Sequence, residues 1–283
     1  MATAVINGAS LRYEVLGTAG PWVAISPGGR RKLENNRPLA QRIAAAGFRV
    51  LIHDRRNCGQ SDLLFGSAMQ EHAVWADDLH ALLLRLDAHT AFVGGASSGA
   101  RLALHYALRY PESVQGLLLW RVTGGATAAR HLADQYYGDY VVLAERGGMA
   151  AVCESEQFRE LIAERPAARD ELMRITREKF IAGMSDWRDQ FLGLADQEVL
   201  GASEVQLRGL AVPVLVIPGN DIIHVRAAGA ALQRLVPGCE CHDIMPSGPD
   251  LDEIPFDLWD SKESEILGIF IDFMRRHSAS QRG

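Results

Sequence analysis

The sequence predicts an α/β fold: a mostly parallel central sheet flanked by helices and interrupted once by a helical insertion. Three observations lead there. Short apolar runs of strand length alternate with amphipathic segments of helix length over residues 1–122. That alternation stops between Thr123 and Glu204, where aromatic residues are spread through helix-rich sequence. It resumes over residues 205–283. Strands that alternate with helices need crossover connections, which give parallel pairing with helices on both faces.

The first 20 residues alternate loosely around Asn7-Gly8, a pair that suits a hairpin turn. Trp22 to Ser26 is a short apolar strand ending in Pro27-Gly28-Gly29. Arg37 to Ala45 has helical spacing and stops at Gly47, a glycine where a helix can end. Phe48 to His53 is the next strand. Ala73 to Leu86 is an amphipathic helix with Trp75, Leu79, Leu82, Leu83 and Leu86 on its apolar face. Ala91 to Gly95 reads as a strand, Ser98 to Arg109 as a helix, and Val114 to Trp120 as a buried strand. After the insertion come a strand at Val212 to Ile217, a helix at Ala227 to Leu235, a strand at Glu240 to Ile244 and a closing helix at Glu263 to Arg275. Residues 1–122 and 205–283 are therefore expected to make one core domain, and 123–204 a helical cap. Such an insertion would lie over the carboxyl edge of the sheet, where open α/β folds bind ligands. An extra layer of packing helices is the alternative.

At 48% hydrophobic and 23% charged residues, the composition is that of a globular protein with a large core. The net charge of −6, with no extended basic run, argues against nucleic acid as the main partner. No run approaches the ~18 apolar residues that span a bilayer, and no secretory leader is evident. Cys58, Cys153, Cys239 and Cys241 form neither a zinc motif nor a CxxC pair, and are expected to be free thiols in a reducing compartment. These readings predict a cytoplasmic protein with a small-molecule substrate and no membrane or nucleic-acid partner. A homodimer is left open.

Gly95-Ala96-Ser97-Ser98-Gly99 fits G-x-S-x-G and stands between an apolar strand and an amphipathic helix. A sharp strand-to-helix turn presents the middle serine at the sheet edge beside a helix N-terminus, so Ser97 is the expected nucleophile. The backbone N–H of Ser98, with that of Gly28 or Gly29, is the expected oxyanion hole. Arg30 and Arg31 follow, either to hold an anionic substrate group or simply as solvated charges. Trp120 and Arg121 end a strand that faces the presumed pocket. With Tyr136 and Tyr137 they suggest an aromatic-walled site, or else plain core. Arg30, Trp120, Arg121 and Tyr137 are the substrate-binding candidates. No metal-ligand spacing or dinucleotide fingerprint is present, and no cofactor is expected.

The chain resembles the α/β-hydrolase fold superfamily over almost its full length. The resemblance rests on the Pro27-Gly28-Gly29 turn, on Asp54-Arg55-Arg56-Asn57-Cys58-Gly59-Gln60-Ser61-Asp62, on the Ser97 elbow, and on Pro213 through Asp221. It implies Ser97 as nucleophile and Asp221 as the acid that orients a histidine. Ser26 stands where many members have the histidine of a His-Gly motif. The family's base histidine usually follows the last strand, and here that position is Pro249. Proline cannot take a proton.

Among the nine histidines, His224 lies three residues after Asp221. In a turn, residues three apart face the same way, so Asp221 could bond Nδ1 of His224 and leave Nε2 for the serine proton. The alternatives for His224 are a helix cap or a piece of pocket wall, and His53, His72 and His131 are substitute bases. Asp250, Asp252, Glu253, Asp257 and Asp260 make the loop after the last strand acidic, as a base on water, as electrostatic support for a histidine, or as a solvated face.

The reading is a serine hydrolase of a carboxylic ester, lactone or related acyl bond in a small apolar or aromatic molecule. A C–C bond hydrolase of a diketone or dienoate is the neighbouring reading, with Asn36 and Arg37 placed to engage a carboxylate. Pro249 also supports a ligand-binding pseudoenzyme or non-hydrolytic chemistry on the same scaffold.

Overall fold

The computed structural model describes residues 1–66 and 68–279. Asn7 and Gly8 hold positive φ of 47° and 79°. They turn β1 (Ala2–Ile6) back on β2 (Ala9–Leu16) as an antiparallel pair. β2 pairs antiparallel with β4 (Arg49–His53), and every later pairing is parallel. The remaining strands are β3 (Trp22–Ser26), β5 (Ala91–Ala96), β6 (Val114–Trp120), β7 (Val214–Ile217) and β8 (Glu240–Cys241). The eight lie in the order β1-β2-β4-β3-β5-β6-β7-β8. The order reverses at β3 and β5, which opens a crevice at their carboxyl ends.

The two-residue period of the strands sorts their side chains to two faces. Ala24, Leu51, Val93, Leu117, Leu119, Val214 and Val216 pack on one side with α2 (Glu71–Arg85), α3 (Ser98–Arg109) and α10 (Arg226–Leu235). Val23, Ile25, Phe92, Leu118, Leu215 and Ile217 pack on the other with α1 (Arg37–Ala45) and α12 (Glu263–Ala279). α9 (Glu204–Arg208) starts with a capping box on Ser203, and α11 (Phe256–Ser261) precedes α12.

Between β6 and α9 run α4 (Gly125–Ala133), α5 (Asp139–Cys153), α6 (Glu156–Glu164), α7 (Ala167–Met173) and α8 (Arg177–Leu192). They bury an apolar cluster of their own around Tyr137, Phe180, Trp187 and Phe191. Ile223, from the loop after β7, belongs to that cluster and ties these helices to the sheet edge. A π-helical turn at Asp134–Gly138 joins α4 to α5. No helix among the described residues is long and apolar enough to cross a membrane. All four cysteines are free thiols.

Four elements have bounds that differ by two or more residues from expectation: β7 starts at Val214, not Val212, α12 runs on to Ala279, and the last strand and α2 also shift. The last strand stops at Cys241, not Ile244, because the Asp243 carboxylate accepts the Met245 N–H at 3.1 Å and turns the chain. α2 starts at Glu71, two residues early, and so includes His72.

Candidate active site

Four strands adjacent in the sheet, β3, β5, β6 and β7, carry the chain past their carboxyl ends at Pro27, Ser97, Arg121 and Pro218. Ser97 holds φ 54° and ψ −113°, a conformation that costs a side-chain-bearing residue on the order of 1–3 kcal/mol. The glycines around it make the turn possible. A Cβ on Gly99 would meet the Ser26 carbonyl oxygen at 2.2 Å, and one on Gly95 would meet the same atom at 2.5 Å. The Ser97 N–H donates to the Trp120 carbonyl at 3.1 Å, fastening the elbow to the next strand.

The loop after β3 is braced against the elbow. A Cβ on Gly28 would lie 3.3 Å from Ser97 Cβ, so Gly28 allows a close approach of its backbone to Ser97. The Gly29 carbonyl accepts from Ser98 Oγ at 2.8 Å and from Arg55 at 2.6 Å, while Arg55 also donates to Ser98 Oγ at 2.9 Å. Ser98 is fully buried with its hydroxyl spent in this brace, so any role at the oxyanion falls to its backbone. Asp54 organises the turn that carries Arg55. Its carboxylate accepts the N–H groups of Leu33 and Gln60 at 2.6 and 2.9 Å, and Gly59 passes so close that a Cβ would sit 2.3 Å from it.

Asp221 and His224 meet in the loop after β7. His224 Nδ1 lies 2.9 Å from both Asp221 oxygens, and Asp221 Oδ1 also accepts the N–H groups of Ile223 and His224. Burial alone would raise the Asp221 carboxyl, but the His224 hydrogen bond and the two N–H groups hold it below its ordinary value. Burial lowers His224; Asp221 opposes that shift, and the charge of Arg121 adds to it. His224 Nε2 is buried without a hydrogen-bond partner among the described residues. The loop is pinned through Ile222 N–H to the Leu251 carbonyl and Leu251 N–H to the Asn220 carbonyl. Pro249 is therefore in the neighbouring loop, exposed and outside the cavity lining.

Ser97 and His224 both line a cavity of about 710 Å³, walled by Gly28, Gly29, Trp120 and Tyr136 among others. Its size suits a small organic ligand. Of the substitute bases, only His131 lines it, from an exposed position on α4. His53 is buried away from it, with burial pulling it down to about 3, and His72 is buried against Trp75. In the acidic loop, Asp252, Glu253 and Asp257 are solvent-exposed, Asp250 accepts the Arg226 N–H, and Asp260 reaches the cavity lining.

Three expected ligand-binding side chains are otherwise engaged. Arg30 lines the cavity, but its guanidinium is buried and donates twice to Glu71, at 2.9 and 2.8 Å. Tyr137 is not in the lining; its hydroxyl donates to the same carboxylate at 3.0 Å, and its neighbour Tyr136 faces the cavity instead. Arg37 pairs with Glu14, whereas Asn36 stays in the lining with Nδ2 unpartnered among the described residues. Trp120 and Arg121 line the cavity. Sequence reasoning passed over Phe256 and Trp259, which enter the wall from α11. Their three-residue spacing around an apolar Leu258 was the available signal.

Residues 21–221 match the family model described as the alpha/beta hydrolase fold. An uncharacterized hydrolase, YraK, of Bacillus subtilis (strain 168) is 31% identical over 119 residues, which span 41% of this chain and 42% of that protein. Among solved structures, the chain is similar to the enol-lactonase from Burkholderia xenovorans LB400, at a TM-score of 0.64 and 19% identity, covering 97% of this chain and 100% of that one. A thermophilic esterase from Thermogutta terrifontis is similar at 0.65 and 21%, covering 98% of each chain. A meta-cleavage product hydrolase from Pseudomonas fluorescens IP01 is similar at 0.61 and 19%, covering 96% and 98%.

Proposed function

The chain belongs to the α/β-hydrolase fold family, and within it we propose that it is a serine hydrolase of a carboxylic ester, lactone or related acyl bond, working through an acyl-enzyme on Ser97. The observation that carries this is the buried Asp221–His224 pair, whose His224 Nε2 has no partner among the described residues and whose histidine lines a cavity shared with Ser97. It supplies a general base where the position usual for one is proline.

Ser97 Oγ attacks the acyl carbon while His224 Nε2 takes its proton. The carbonyl oxygen gathers negative charge and is held by the backbone N–H of Ser98 and that of Gly28 or Gly29. As the tetrahedral intermediate collapses, His224 returns the proton to the leaving alkoxide. A water then repeats the sequence on the ester of Ser97 and releases the acid. The Oγ–Nε2 hydrogen bond is absent from this structure, and such contacts often tighten only in the substrate complex. Residues 123–204 act as a cap and supply Leu132, Tyr136 and Tyr140 to the wall. The C–C hydrolase reading loses support from Arg37, which is paired with Glu14.

The test is hydrolysis of p-nitrophenyl acetate and butyrate by wild type, Ser97→Ala and His224→Ala between about pH 5 and 9. The expected result is loss of about 10⁴-fold or more in kcat for both variants. Turnover that survives Ser97→Ala overturns the nucleophile, and turnover that survives His224→Ala overturns the base.

A further inference from the structure

Two arginines in the cavity wall have no carboxylate partner among the described residues. Arg30 is neutralised by Glu71 and Arg37 by Glu14, but the side chains of Arg31 and Arg121 form no ion pair or hydrogen bond there. Their guanidinium centres lie 5.0 and 5.2 Å from the same ring, that of Phe256, and Arg121 lies 5.3 Å from the ring of Trp259. Stacking on aromatic faces leaves guanidinium N–H edges available for a ligand. Trp259 is 5% exposed, and its indole Nε1, like Arg121 Nε, has no hydrogen-bond partner among the described residues.

Both arginines hang from backbone that touches the elbow. Arg121 follows Trp120, whose carbonyl accepts the Ser97 N–H, and Arg121 holds a left-handed φ of 52°. The Arg31 N–H donates to the carbonyl of Gly28, the residue packed against Ser97. Burial pulls the Arg121 guanidinium down to about 10; Asp221 opposes that and Arg31 adds to it, so an anion here would relieve both desolvation and mutual repulsion. The same lining also carries Asp139, Glu156, Glu160 and Asp260, all exposed and without an ion pair among the described residues, and Glu263, which is paired with Arg42. With Asp221 and Asp260 near Arg121, the balance favours one added negative charge over two, hence a carboxylate over a phosphate dianion.

We propose that Arg31, Arg121 and the Trp259 indole N–H form a carboxylate-binding subsite, so that the substrate is an acyl compound bearing a second, ionised carboxyl group. The identity of the substrate rests on Ser97 as nucleophile; the binding subsite does not. A bound carboxylate also offsets the Arg121 charge that depresses His224, easing proton transfer to Nε2.

The test uses two unreactive probes of equal length, adipic acid monoanilide and hexananilide, which differ in a terminal carboxylate against a methyl. Calorimetry on wild type should show the monoanilide binding about tenfold to a hundredfold tighter. That preference should fall in Arg121→Met and in Arg31→Met, approach parity in the double variant, and be partly kept in Arg121→Lys. Arg31→Met, in an exposed loop, keeps the test decisive where Arg121→Met does not fold. Equal binding of the two probes to wild type, no binding of the monoanilide, or a preference unchanged in the double variant overturns the subsite. A parallel assay compares kcat/KM for 4-nitrophenyl adipate half-ester and 4-nitrophenyl hexanoate, read as a ratio within each protein. Intact anilide preference without Ser97-dependent turnover sinks the hydrolase reading alone, whereas Ser97-dependent turnover with indifferent anilide binding sinks the subsite alone.

Discussion

His224 Nδ1 stands 2.9 Å from each oxygen of Asp221, three residues earlier in the same loop, so the proposed acid and base are delivered by one turn after one strand. In this geometry Asp221 fixes the tautomer with the proton on Nδ1 and leaves Nε2 as acceptor. Asp221→Asn keeps the shape and removes the charge. Its expected effect is a fall of about 10⁴-fold in kcat on p-nitrophenyl butyrate, with little change in KM. An Asp221→Asn variant that stays within about tenfold of wild type would separate the pair from catalysis.

The turn depends on Gly219. A Cβ there would lie 2.2 Å from His224 Cβ and 2.0 Å from the His224 carbonyl oxygen, too close for either backbone to stay in place. Gly219→Ala should therefore displace the imidazole and cost about 100-fold or more in kcat, since displacements near 1 Å have effects of that size. A crystal structure of the variant with His224 unmoved, or full activity, contradicts this.

The pH profile follows from the protonation state of His224. As the proposed base, His224 works as neutral imidazole, and burial with the Arg121 charge lowers its pKa below the ordinary 6.5, against the pull of Asp221. Lowering the pKa keeps the neutral form populated to lower pH. The acid limb of kcat/KM should therefore have its midpoint below 6.5. Arg121→Met removes a cation and should move that midpoint upward. A wild-type midpoint above 6.5, or a downward shift in the variant, would exclude His224 as the group titrating.

What the sequence made legible, and what it hid, divides along the range of the interactions. Val23-Ala24-Ile25 and Val214-Leu215-Val216-Ile217 send alternate side chains to opposite helical layers, a pattern set by strand geometry alone. The elbow was legible for a similar reason, because Gly95 and Gly99 are local demands of the turn around Ser97. The three-residue spacing of Asp221 and His224 was local too. The fate of Arg30 was not, because Glu71 lies 41 positions away and meets it only after folding. Nor could periodicity choose between Tyr136 and Tyr137. The π-turn at Asp134–Gly138 departs from the regular 3.6-residue period and leaves Tyr136, not Tyr137, in the wall. The meeting of Arg121 with Trp259 likewise joins a strand end to a short helix far along the chain.

Buried histidines predict acid sensitivity. Burial holds His53 neutral down to about 3 and His105 down to about 4, and His72 is lowered in the same way. In the unfolded chain these rings take up protons near their ordinary pKa of about 6.5, so acid favours unfolding. The stability they contribute is complete above that pH and is lost as pH falls towards the folded values. For fully buried His53 the slope is about 1.4 kcal/mol per pH unit. Urea midpoints should therefore drop between about pH 6.5 and 5, above the range where carboxylates titrate, and His53→Leu should flatten the drop. Midpoints constant across that interval would mean that these rings are hydrated in solution.

The Arg30–Glu71 pair should show an asymmetry. Glu71 is 2% exposed and accepts from Arg30 twice, from Asn57 at 3.0 Å and from Tyr137 at 3.0 Å. Arg30 has Glu71 as its one carboxylate partner among the described residues, with the rings of Trp75, Tyr136 and Tyr137 around its guanidinium. Glu71→Leu therefore strands a buried cation and two further donors, and should destabilise by about 3–5 kcal/mol in urea unfolding. Arg30→Met leaves a carboxylate that still accepts two hydrogen bonds and should cost less. Because Arg30 is held by Glu71, its loss should also leave the anilide preference attributed to Arg31 and Arg121 in place. An Arg30→Met protein that folds normally but loses that preference would return Arg30 to the binding site.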